Sequence, residues 1–193
     1  MVRKPRRPPY LKGHFYHIYN RGAHRTSIFR EEANYFFVLR KLKHYCRELE
    51  ITPIAYVLMP NHYHWLLRQD GDEPAGKLPQ RVFNSYSKAY NTRYEHSGTL
   101  FEGQYKVKQV QHERHLRHLC QYVHTNPVKD GVVSHPEAWA YSNYLEWVGK
   151  RTGSLFDAAF VSDYFGGSDK YERIVAGYLT TFEKSETLSY LEE

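Results

Sequence analysis

Cysteine is scarce in this chain of 193 residues: only Cys46 and Cys120. Two thiols so far apart exclude a disulfide framework and a cysteine-built zinc centre. Both fall on apolar helical faces, which predicts buried, reduced thiols in a cytoplasmic protein. No apolar run approaches the length of a membrane span, and the N-terminus lacks the apolar stretch of a signal peptide. Arg6-Arg7 is followed by Pro-Pro and polar residues, which does not fit a twin-arginine export signal. No internal repeat is present, and no biased segment outside the first dozen residues. Acidic residues are sparse in the body: residues 1–151 hold 24 Lys and Arg against 13 Asp and Glu, whereas residues 152–193 hold 3 against 8. A body at +11 suggests a polyanionic partner, most simply nucleic acid. The tail, at −5, reads as a helical appendage.

What is present has a recognisable order. "MVRKPRRPPYLKG" mixes basic residues with prolines and reads as a mobile arm, able to track phosphates or merely to solubilise. "HFYHIYNRG" (14–22) predicts a strand. Tyr35, Val38, Leu39, Leu42, Tyr45, Cys46 and Leu49 recur at helical spacing behind Glu31 and Glu32. "TPIAYVL" (52–58) and "HYHWLLR" (62–68) predict a hairpin about "MPN". Leu78, Val82, Tyr86, Ala89 and Tyr90 mark a second helix, "EGQYKVKQV" (102–110) a fourth strand, and Leu116, Leu119, Cys120 and Val123 a third helix ending at Asn126-Pro127. Two further helices are read near 157–165 and 171–182. The order β-α-β-β-α-β predicts an α+β, ferredoxin-like antiparallel sheet with helices on one face.

Two patterns bear on chemistry. Strand alternation points His62, His64 and Leu66 one way and Tyr63, Trp65 and Leu67 the other, so two imidazoles can converge on one ion. By itself His-x-His is also an ordinary half-exposed strand. On the third helix Tyr122 and Asn126 lie four residues apart on one face, which also carries His115 and His118. That pair reads as a nucleophile beside a metal ligand, or as a surface tyrosine with a helix-ending asparagine.

Taken together, "MPNHYHWLL" and "LCQYVHTNPVKDG" resemble the single-tyrosine HUH transposases, including the REP-associated tyrosine transposases. "YHIYNRG", "GTLFEGQYK" and "WAYSNY" are similar to other stretches of that family, and the likeness covers roughly residues 12–150. It implies a ferredoxin-like catalytic domain over 14–150, between a basic arm (1–13) and an acidic helical extension (151–193). It further implies His62, His64 and Asn126 as ligands of a divalent cation, Mg²⁺ or Mn²⁺, and Tyr122 as the nucleophile. Attack by tyrosine would link the protein to a DNA 5′ end and leave a free 3′-OH that can reverse the reaction. Phosphate contacts are expected from Arg3, Lys4, Arg6, Arg7, Arg21, Lys106 and Lys108. His124 stands where an acidic residue is usual and would alter metal preference. Gln104 stands where arginine is usual and would weaken a phosphate contact. His115 and His118 are candidate bases for the phenol.

The implied activity is metal-dependent cleavage and transfer of single-stranded DNA beside hairpins, by a monomer or homodimer. A protein that binds hairpins with little turnover is the alternative from another class. RRM domains share the strand order, yet "GQYKVKQV" fits their aromatic strands poorly. A histidine-triad enzyme would need a third alternating histidine where Leu66 stands.

Overall fold

The computed structural model describes residues 8–191, with side chains to residue 181. Strand β1 (Phe15–Arg21) leads to helix α1 (Glu32–Glu48), the hairpin β2 (Ile51–Met59) and β3 (His62–Gln69), helix α2 (Lys77–Tyr94), β4 (Lys106–Val110) and helix α3 (Glu113–Lys129). Three more helices follow: α4 (Tyr144–Trp147), α5 (Ala158–Phe165) and α6 (Ser168–Leu191). The sheet order is β2-β3-β1-β4, antiparallel at each pairing. The ferredoxin-like α+β reading is therefore the observed fold. No helix among the described residues is long and apolar enough to cross a membrane.

The pleat divides β3 between two cores. Tyr63, Trp65 and Leu67 face α1 and α2, where Phe83 stacks on Tyr63 at 4.3 Å and on Trp65 at 5.1 Å between ring centres. Leu66 faces the other way, into a core built by Leu116, Leu119, Cys120 and Val123 of α3 with Phe160, Phe165, Tyr171 and Val175 of α5 and α6. The extension read as an appendage thus supplies part of the core beneath α3. Cys46 and Cys120 are free and buried, one in each core. Burial pushes both thiols up.

Edge strand β2 carries Pro53, which an edge tolerates because no neighbour needs its missing N–H. The register slips there: Pro53 faces Leu67 and Ala55 faces Leu66, leaving Ile54 as an extra residue. This bulge sets the parity that places Val57 opposite His64 and Met59 opposite His62. "WAYSNY" (139–144) covers the same edge. Asn143 Nδ2 donates to Ile54 O (2.8 Å) and its Oδ1 accepts from Tyr56 N–H (2.8 Å). Trp147 and Trp139 donate their indole N–H to Ile54 O and Leu58 O. Outward backbone groups of Ile54, Tyr56 and Leu58 on this edge thereby find partners.

His124 joins this network and does not line the cleft of His62 and His64. It is fully buried in the second core, with Nε2 2.9 Å from Asn143 Oδ1 and Nδ1 2.7 Å from the Tyr171 hydroxyl. Asn143 Oδ1 can only accept, so the proton is on Nε2 and Tyr171 donates to Nδ1. The position two residues from Tyr122 points to the far side of the helix.

Two boundaries differ from expectation. The proline does not end α3, which runs to Lys129 with Pro127 in its last turn. The proline forfeits one N–H bond there, and Asp130 N–H to Asn126 O (3.0 Å) closes the end. β4 begins at Lys106 rather than Glu102, because the Asn20 amide takes up Gly103 O (2.9 Å) where a strand partner would have been.

Burial lowers the His124 pKa to about 4, against about 6.5 in an unfolded chain. Between these values the unfolded state binds a proton that the folded state refuses, so stability is full above pH 6.5 and falls as pH drops toward 4. Urea unfolding at pH 7.5 and 4.5 should show His124→Gln losing about 2–3 kcal/mol less than the wild type over that interval. An equal loss in both proteins would mean that another group carries the acid sensitivity.

Candidate functional site

The site begins where the chain turns into β3. Across the sheet from that turn, at the end of β1, Gly22 is needed because a Cβ there would strike the Thr26 carbonyl oxygen. The close approach lets Gly22 N–H bond Asn61 O at 2.8 Å, which holds the turn carrying Asn61 and His62. His62 and His64 then emerge on the face beneath α3, with ring centres 5.2 Å apart. Tyr122 sets its ring edge-on to His64 at 5.3 Å, and Asn126 Oδ1 lies 2.9 Å from His62 Nε2. All four residues line one cleft of about 600 Å³. The helix makes this possible by continuing through Asn126, which keeps the amide one turn beyond the phenol.

The hydrogen-bond chemistry at His62 leaves a gap suited to a cation. Its Nδ1 is 2.7 Å from Asn61 Oδ1 and its Nε2 faces Asn126 Oδ1. A neutral imidazole has one N–H, so it satisfies one of two acceptor oxygens. With the proton on Nδ1, two lone pairs confront each other across 2.9 Å. Adjacent ligands of an octahedral ion at about 2.1 Å lie about 3 Å apart, which matches this spacing. Among the described residues no three of His, Cys, Asp and Glu gather into a metal site. The donor set here is His62, His64 and the amide oxygen of Asn126. Asp130 adds a carboxylate at the rim, its Oδ2 3.8 Å from His62 Nε2.

Burial holds His64 well below the usual histidine range, and the charges of His17 and His62 act in the same direction. The Tyr122 phenol is raised, first by burial and then by the Asp130 charge, while a hydrogen bond from Asn126 opposes them. Lys129 Nζ stands 5.2 Å from the Tyr122 ring centre.

Arg21, Lys106 and Gln104 line the same cleft, with Arg25 beside them. Arg21 is not a free cation: its Nη2 donates to Glu102 Oε1 at 2.9 Å, and Nε contacts the other carboxylate oxygen. Lys106 and Lys108 are exposed and pair in register with Tyr19 and His17, so they share the face of His62 and His64. Arg3, Lys4, Arg6 and Arg7 lie outside the described residues. His115 and His118 are not among the cleft's lining residues. They sit two turns and one turn back from Tyr122 along α3, and His118 turns its ring against Tyr178 of α6.

Sequence reading missed His17, Asn61, Glu102 and Asp130. Two had a signal. His17, Tyr19 and Arg21 alternate on β1, and Asp130 follows Asn126 by the same four residues that separate Asn126 from Tyr122. Glu102 had none, since its pairing with Arg21 spans 81 positions.

Comparison with known proteins identifies the family and bears out the fold. The family model described as "Transposase IS200 like" matches residues 11–126. The REP-associated tyrosine transposase of Escherichia coli (strain K12) is 24% identical over 132 residues, 67% of this chain and 73% of the relative. The solved structure of a REP-associated tyrosine transposase bound to a REP hairpin superposes with a TM-score of 0.65 at 18% identity, covering 80% of this chain and 94% of that one. The chain belongs to the IS200-like transposase family, enzymes that nick and move DNA.

Proposed function

We propose that this chain cleaves and rejoins single-stranded DNA next to hairpins, with Tyr122 as nucleophile and a divalent cation, Mg²⁺ or Mn²⁺, held by His62, His64 and Asn126. The observation that carries the reading is that Tyr122 and the three candidate ligands converge in one cleft within one chain. A monomer therefore holds a full set of reacting groups. The hairpin preference is taken from the relative whose structure contains one.

When bound, the cation would neutralise the non-bridging phosphate oxygens that otherwise repel an incoming nucleophile. The remaining work belongs to the chain. Lys106, Lys108 and Arg21 attract the DNA backbone to the face that holds the phenol. As the Tyr122 oxygen bonds to phosphorus, the P–O3′ bond breaks. The phenol gives up its proton, and the departing oxygen gains one to become the 3′-OH. The 5′-phosphotyrosine keeps the bond energy, so the same groups reverse the step with another 3′-OH and no nucleotide cofactor. The raised phenol pKa keeps Tyr122 protonated at rest, and the Asn126 hydrogen bond favours the phenolate during attack.

Hairpin-forming oligonucleotides labelled at the 3′ end should give a denaturant-resistant adduct with Mn²⁺ or Mg²⁺. The adduct should disappear with EDTA and in Tyr122→Phe; persistence in that variant would remove Tyr122 from the role. Tight hairpin binding without any adduct in the wild type would favour a binding protein with little turnover. A second expectation concerns the Arg21–Glu102 pair. Glu102→Gln releases the guanidinium, so the slope of log K against log salt for single-stranded DNA should steepen by about 0.7, one further phosphate contact. An unchanged slope would show that freeing Arg21 from Glu102 adds no backbone contact.

A further inference from the structure

His17 is used by nothing above, yet it is buried directly beside the candidate metal ligands. It lies on β1 opposite Leu66 of β3 and Lys108 of β4, one step along the face from the Tyr19–His64 pair. It is 7% exposed and His64 8%. The two rings stack with centres 5.2 Å apart, Tyr19 stacks on His17 at 4.8 Å, and Tyr122 meets His17 edge-on at 6.4 Å. The decisive contact is His17 Nε2 to His64 Nδ1 at 3.0 Å.

A hydrogen bond between two neutral imidazoles holds a single proton. With Nδ1 of His64 engaged by His17, the only His64 nitrogen left for the cleft is Nε2. If His17 donates, His64 carries its proton on Nε2 and offers the cleft no lone pair. If His64 donates through Nδ1–H, its Nε2 is a lone-pair donor. His62 displays the same construction in simpler form, since its Nδ1 partner, Asn61 Oδ1, can only accept.

We propose that His17 is a positioning residue: it accepts the His64 Nδ1–H bond and so fixes His64 with Nε2 unprotonated and turned to the cleft. This rests on the reading of His64 as a cation ligand. Burial makes the partner hard to replace, because little solvent reaches the contact between the rings and an unpaired Nδ1–H there would go unsatisfied. Outer partners of this kind tune metal affinity by 10–100-fold where they have been removed elsewhere.

The test uses the DNA-free protein and Mn²⁺ alone, read by calorimetry, together with ¹⁵N spectra of the imidazoles. The wild type should show His64 protonated on Nδ1. His17→Phe should keep the stacked ring but bind Mn²⁺ at least tenfold more weakly. His17→Gln, whose Oε1 reaches the place of the lost Nε2, should restore most of the affinity. Three results would overturn the assignment: a wild-type His64 protonated on Nε2, wild-type Mn²⁺ affinity in His17→Phe, or no recovery in His17→Gln. His64→Ala separates this from the underlying reading. If it loses Mn²⁺ while His17→Phe does not, only the role of His17 falls. If it binds as the wild type does, the ligand role of His64 falls, and this assignment with it.

Discussion

The structure depends on the two-residue alternation of one inner strand. β3 lies between β2 and β1, and its side chains divide strictly between two cores. Tyr63, Trp65 and Leu67 drive one face onto α1 and α2, and that burial sets the register. His62 and His64 must then occupy the opposite face, beneath α3. A slip of one residue would bury the imidazoles among aromatics and send Trp65 into the cleft, so the apolar pattern protects the placement of the polar one. The bulge at Ile54 serves the same end, correcting the parity of β2 so that Val57 and Met59 flank the histidines.

The second requirement is a helix held at the right height over that face. Apolar packing alone leaves α3 free to shift along its groove. The directional restraint is His124, which bonds to Asn143 on the β2 edge and to Tyr171 on α6. Asn143 is itself bound to the backbone at Ile54, the bulged residue, and at Tyr56 just beyond it. Helix, edge strand and C-terminal region are therefore tied at one buried point, on the side of α3 away from Tyr122 and Asn126. A buried network of this kind specifies geometry because each member has only one satisfied arrangement.

Much of the fold was legible in the residues. Helical spacing identified α1, α2 and α3, and alternation with turn residues identified the hairpin, because those signals are local. The limits of α3 and β4 were not legible. Pro127 is a local stop signal overridden by the contacts of the helix around it, and β4 starts late because Asn20, 83 positions from Gly103, claims its backbone. His124 shows the same limit. Its place in "QYVHTNP" suggested a role at the metal, and only packing shows that it faces the other way.

By itself the sequence determined the order of strands and helices along the chain, the face shared by His62 and His64, and the one-turn spacing of Tyr122 and Asn126. Each follows from backbone periods of 2 and 3.6 residues, which act over short stretches of chain. Tertiary structure decided that the two pairs meet, that Arg21 is held by Glu102, and that His17 rather than His124 stands behind the site. Those are contacts between residues 19 to 81 positions apart, and no local period encodes them. They arise when burial of two apolar faces brings distant segments to one place, where polar groups must find partners with whatever arrives beside them.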